Sequence, residues 1–201
     1  GYYKLNNDTL KALETALGGK RKFPDDYTIA YGYGYINYLI KDYNKALNAF
    51  DRALELNSDD IPSLMNLSVI MQDLGNWERV MEINKKRLDL EPNNYQVLRN
   101  LAFAYYNLGE HANAIEYFIK MSKIGGGEAE AFSNIGTCYF HMSHYTEAID
   151  YLEKAIVKIE SYGPEGSHGT SKDLIEQRLL PTIYEYLAIS YERIRGYDKA
   201  I

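Results

Sequence analysis

The feature that most constrains this chain is a period. The segments Tyr43-Asn44-Lys45-Ala46-Leu47, Tyr145-Thr146-Glu147-Ala148-Ile149 and Tyr197-Asp198-Lys199-Ala200-Ile201 read alike, and Ala46 and Ala148 stand three steps of 34 residues apart. The intermediate steps land on Val80 and Ala114, and one step back from Ala46 is Ala12. The same step takes Pro92 to Ser58 and then to Pro24. Small residues returning at a fixed interval of this length mean one supersecondary unit used repeatedly.

Each period describes two helices. Leu98, Leu101, Ala102 and Tyr105 follow the i, i+3, i+4, i+7 spacing of an apolar helical face. A turn at Leu108-Gly109-Glu110 follows, and Ala114, Phe118 and Met121 mark a second helix. One column of small residues (Gly34, Ser68, Ala102, Gly136, Ala188) belongs to the first helices. A second (Ala46, Val80, Ala114, Ala148, Ala200) belongs to the helices that face them. Small side chains there let antiparallel backbones approach, and Tyr33, Leu67, Leu101 and Ile135 fill the rest of the seam.

These columns resemble the tetratricopeptide repeat family. Asn66-Leu67-Ser68, Asn100-Leu101-Ala102 and Asn134-Ile135-Gly136 carry the match, with Ala46/Phe50, Ala114/Phe118 and Leu90-Glu91-Pro92-Asn93-Asn94. The resemblance implies an all-α, right-handed superhelix (solenoid) of antiparallel helix pairs, each touching mainly its neighbours. Complete repeats are expected at 27–60, 61–94, 95–128 and 129–162. Residues 1–26 supply the second helix of a preceding repeat, and 181–201 begin a further one.

Two departures stand out. Residues 163–180 are an insertion, opening as the glycine-rich Gly163-Pro164-Glu165-Gly166-Ser167-His168-Gly169 and continuing as Asp173 to Leu180. It is expected to lengthen both flanking helices into one taller hairpin. In the second repeat, Asn84 and Arg87 stand where Phe50 and Ala53 stand one period earlier, so they need polar partners if buried. Both chain ends read as cut: Gly1 is no initiator, and Ile201 falls inside the expected first turns of a helix. A piece of a longer protein is expected, and its compartment stays open.

The residues carry little sign of chemistry. The formal charge of −6 and a pI near 5.3 disfavour nucleic acid as the main partner. No apolar run approaches the roughly 20 residues of a membrane span. Cys138, the single cysteine, excludes an intramolecular disulfide framework. Cys138, His141 and His144 have a conceivable metal spacing, but Cys138 shares its column with Ile36, Ile70 and Ala104 and reads as a packed thiol. Gly125-Gly126-Gly127 lacks the Lys-Ser/Thr of a phosphate-binding loop and reads as an inter-repeat turn. No catalytic residue, metal or cofactor is expected.

Function is expected on the other side of each first helix, which the family resemblance places along a concave groove. That side carries Tyr31 and Tyr35, then Asn66 with Met65 and Val69, then Arg99, Asn100, Phe103 and Tyr106, then Asn134, Phe140 and His141. Tyr38, Tyr106 and Phe140 are equally well read as wedges against the next repeat, whereas Tyr35 and Phe103 better suit a partner. Asn66, Asn100 and Asn134 recur every 34 residues, and an amide side chain donates and accepts as a peptide group does. The family's subtype that clamps a terminal carboxylate is not expected, because Tyr31, Tyr35, Met65 and Val69 occupy positions where it needs Lys and Asn. The expected function is a non-catalytic scaffold that binds a protein or peptide. The alternative is an arm of a larger enzyme or sensor that recruits or regulates a substrate.

Overall fold

A computed structural model describes residues 7–125, 127–166 and 170–198. It divides into two compact units at Leu90/Glu91. The first unit holds α1 (Asn7–Lys22), α2 (Tyr27–Leu39), α3 (Tyr43–Leu56), α4 (Ile61–Asp73) and α5 (Trp77–Leu90). The second holds α6 (Tyr95–Asn107), α7 (His111–Ser122), α8 (Glu128–His141), α9 (Tyr145–Glu160) and α10 (Lys172–Asp198).

The 34-residue period is written into the helix ends. Asp26, Asp60 and Asn94 cap α2, α4 and α6, each accepting from backbone amides of the first turn. A short side chain with an oxygen acceptor satisfies donors that have no partner within the helix. At the next repeat the cap falls one residue short of the period, on Gly127 before α8, which has no side chain to cap it.

The turns inside the helix pairs repeat more strictly still. Lys41, Gly75, Gly109 and Ser143, one period apart, all have positive φ, between 61° and 78°. After each, a backbone amide reaches back to the helix it has left: Asp42 to Asn37, Asn76 to Met71, Glu110 to Tyr105 and His144 to Tyr139, all at 2.9 Å. This is the Schellman closure, in which one left-handed residue ends a helix and satisfies its last carbonyls.

Packing follows the small-residue columns. Ala46, Val80, Ala114 and Ala148 are wholly buried. A Cβ at Gly34 would come within 2.9 Å of the Phe50 ring, and one at Gly136 within 2.6 Å of Leu152. The glycines therefore let Phe50 and Leu152 fill the seams, each burial contributing about 1.5–3 kcal/mol. In the second repeat the seam is polar. Asn84 Nδ2 donates to Ser68 Oγ at 2.7 Å and to the Val80 carbonyl at 2.8 Å, and Arg87 reaches Asn84 Oδ1 at 3.4 Å. Asn84 thus finds partners in the small Ser68, the backbone of its own helix and Arg87.

The insertion is absorbed chiefly by α10, a helix of 27 residues that runs through Pro181. Ile175, Ile183 and Leu187 bury one face of it with Leu152, Ala155 and Ile159 of α9. That face corrects the expected small-residue column. Ala188 is exposed, while Leu187 and Ser190 are buried, because the i, i+4 apolar series lies one residue out of phase with it. His168 and Lys199–Ile201 lie outside the described residues.

Candidate functional site

In the first unit, α2 and α4 present an aromatic and aliphatic strip. Tyr31 stacks on Tyr35 with ring centroids 6.2 Å apart, and the series continues through Tyr38 to Tyr43. Tyr31 is anchored from below by Phe50 at 5.8 Å. Tyr35, Met65 and Val69 remain 42%, 46% and 40% exposed. Asn66 sits beside them and is half-buried, with Nδ2 donating to the Pro62 carbonyl at 2.9 Å and to Tyr31 Oη at 3.5 Å. Its amide oxygen is the end of the group not drawn into those two bonds.

In the second unit, Arg99 and Phe103 come together one helical turn apart. The guanidinium lies over the ring at 4.7 Å, and the ring rests edge-on against the buried Phe118 at 5.5 Å. Arg99 Nε also donates to Glu130 Oε1 at 2.8 Å. Glu130 Oε2 accepts from Tyr95 Oη at 3.1 Å and from Arg178 Nη2 at 3.3 Å. Burial, and then the Glu130 carboxylate, push the Tyr95 phenol well above its ordinary value, so it stays protonated and donates.

Tyr106, Phe140 and His141 form a second cluster. Tyr106 Oη and His141 Nε2 are 3.0 Å apart, and Phe140 packs on Tyr186 at 4.7 Å. His111 stacks on His141 at 5.3 Å. These side chains tie neighbouring helices together, the wedge reading of Tyr106 and Phe140. Burial raises the Tyr106 hydroxyl to about 12, with Tyr186 adding to the effect.

The three asparagines are not equivalent. Asn134 is half-buried, as expected, but Asn100 is only 6% exposed and accepts from Gln96 Nε2 at 2.8 Å. The expectation that Asn100 lies open alongside Asn66 and Asn134 is therefore corrected. The side chain of Gln96, four residues earlier, engages its amide oxygen. Sequence reading also passed over Tyr95, Glu130, Arg178, Tyr186 and His111. Glu130 carries no periodic signal, and Arg178 lies in the insertion, where the period gives no guidance.

Cys138 is wholly buried, and desolvation raises its thiol to about 12, so it is not a thiolate nucleophile. Among the described residues no three His, Cys, Asp or Glu side chains converge as a metal site would require. No helix among them is long and apolar enough to cross a membrane.

Comparison with known proteins agrees with the fold. No curated protein matches the chain in sequence. Solved structures match it in fold. A crystal structure of MamA is 21% identical, covering 76% of this chain and 84% of that one at a TM-score of 0.68. MamA from Desulfovibrio magneticus RS-1 (residues 41 to the end) is 16% identical, covering 75% and 85% at 0.65. YrrB, described as a TPR protein with an unusual peptide-binding site, is 21% identical, covering 75% and 78% at 0.68. Tetratricopeptide repeat family models match residues 7–61 and 94–157. With its repeats, turn closures and small-residue seams all at the same interval, the chain belongs to the tetratricopeptide repeat family.

Proposed function

We propose that the chain is a non-catalytic scaffold that binds an extended peptide, or a peptide segment of a partner protein, on the faces of its first helices. One observation carries this reading. Tyr35, Met65 and Val69 lie open to water on α2 and α4, where a monomer gains nothing by exposing them. Large apolar side chains held in place by a rigid framework are typical interface anchors. In the second unit, Phe103 is held edge-on against Phe118 with the Arg99 guanidinium over its ring, and plays the same part. Asn66 and Asn134 supply amide groups suited to a peptide backbone, each contributing about 0.5–1.5 kcal/mol. Asn100 acts from underneath, fixing Gln96. YrrB, similar in fold, is itself described as binding peptide.

The test is selection of displayed random peptides on the immobilised chain, with affinities measured by fluorescence anisotropy. Tyr35→Ala with Met65→Ala should weaken the selected peptides at least about tenfold, the loss of one good anchor. Far-UV circular dichroism should remain unchanged. Peptides that bind this double variant as tightly as the original chain would place the interaction elsewhere.

A further inference from the structure

A cavity of about 240 Å³ opens in the second unit between α6, α8 and the start of α10. It exists because of the insertion: Ile175, Arg178 and Leu179 form one wall, facing Arg99 and Glu130. Room for it is kept by Gly127, where a Cβ would collide with the Tyr95 ring.

Its electrostatics are unbalanced. Two guanidiniums share one carboxylate, since Arg99 and Arg178 both bond to Glu130. Glu128, next to the cavity, is neutralised by Lys158 at 3.4 Å. Among the described lining residues the formal sum is therefore one positive charge. Glu130 is held from three sides by Arg99, Arg178 and Tyr95, and its side chain is 13% exposed, so it is a fixed post and not a mobile plug. Each guanidinium spends one nitrogen on that post and keeps further N–H donors. Arg178 is itself 54% exposed at the cavity wall.

Size and lining narrow the ligand. The volume is below the roughly 300–1,000 Å³ of sites that enclose a drug-sized molecule. Ala129, Ile175 and Leu179 suit a short apolar stem, while a planar guanidinium fork matches a carboxylate in two parallel hydrogen bonds. We infer that the cavity is a carboxylate subsite, receiving one acidic group of a bound peptide between Arg99 and Arg178. It rests on the peptide-binding reading for the source of the carboxylate alone. Arg99 is then shared, lying over the Phe103 ring and lining the cavity.

The test uses NMR titration of the intact chain, following the Arg Nε–H signals and the Gly127 amide. Four probes are added separately: N-acetylglutamate α-amide, N-acetylleucine, N-acetylglutamine α-amide and inorganic phosphate. The first presents a side-chain carboxylate and the second a chain-terminal one. At least one of them should shift the Arg99 and Gly127 signals saturably, and the tighter names the source. The neutral glutamine probe should not. Arg178→Gln should weaken the effective probe at least about tenfold, the loss of a charge-assisted hydrogen bond. Glu130→Gln should tighten it, because the cavity gains net positive charge. Glutamine binding as well as glutamate, phosphate binding more tightly than both carboxylates, or indifference to both substitutions would each overturn the inference. These probes are too short to span the aromatic strip. Their failure leaves the peptide scaffold standing, and failure of peptide selection leaves the subsite standing.

Discussion

The left-handed turn residues give the sharpest test of how the repeat is built. A Cβ placed on Gly75 would meet no atom within 4 Å, and its φ is +69°. Alanine there costs backbone strain and nothing else. A non-glycine residue in the left-handed region costs about 1–2 kcal/mol. Against that, alanine reduces the freedom of the unfolded chain and returns about 0.4–1 kcal/mol. Gly75→Ala should therefore destabilise the first unit by about 0.5–1 kcal/mol. Gly32 is the matched control: a Cβ there also meets nothing within 4 Å, but the residue lies inside α2. Gly32→Ala should stabilise by about 0.8–1 kcal/mol, the helix preference of alanine over glycine. The same added methyl group thus has opposite signs about forty positions apart, for a difference near 1.5–2 kcal/mol. Ser143, at φ +63°, offers the reverse experiment, and Ser143→Gly should stabilise the second unit by a few tenths to about 1 kcal/mol. Urea denaturation followed by far-UV circular dichroism reads all three. Gly75→Ala and Gly32→Ala moving the midpoint in one direction would refute the argument, since φ alone separates the two sites.

Two further outcomes follow from titratable groups drawn out of water, His111 partly and Cys138 wholly. Burial lowers the His111 pKa below its ordinary 6.5, with His141 adding to the effect, so the unfolded chain binds more protons than the folded one as pH falls through that range. Stability of the second unit should then fall on acidification from neutral pH to about 5, and His111→Gln should flatten that slope in thermal melts across pH; an unchanged slope would clear His111 of the effect. Cys138, buried with its thiol raised to about 12, should react with iodoacetamide at pH 8 orders of magnitude more slowly in the native chain than in urea, and equal rates would contradict its burial.

The period was legible because it lies in residue identity. Small residues at 46, 80, 114 and 148 and glycine at 75 and 109 recur at one interval, and helix pairing follows from backbone approach at those columns. Even the two turn positions without glycine, Lys41 and Ser143, take the left-handed conformation, because the helices on either side impose it. The buried polar seam was foreseen as a need, and Ser68 answers it at the position facing Asn84.

What the period could not decide are the places where neighbours break it. Asn100 occupies the same column as Asn66, yet it is buried and its amide oxygen is bonded by Gln96 one turn earlier, where Asn66 has Pro62 and donates to its carbonyl. The insertion has no counterpart elsewhere in the chain, so nothing in the sequence says that Arg178 lies 3.3 Å from Glu130, across 48 residues. Sequence alone determined the repeating unit, its seams and its turns, which depend on contacts between residues a few positions or one period apart. The tertiary structure decided which inner side chains reach water and where charges from distant helices meet, because those depend on the path of α10 and on side chains that no interval predicts.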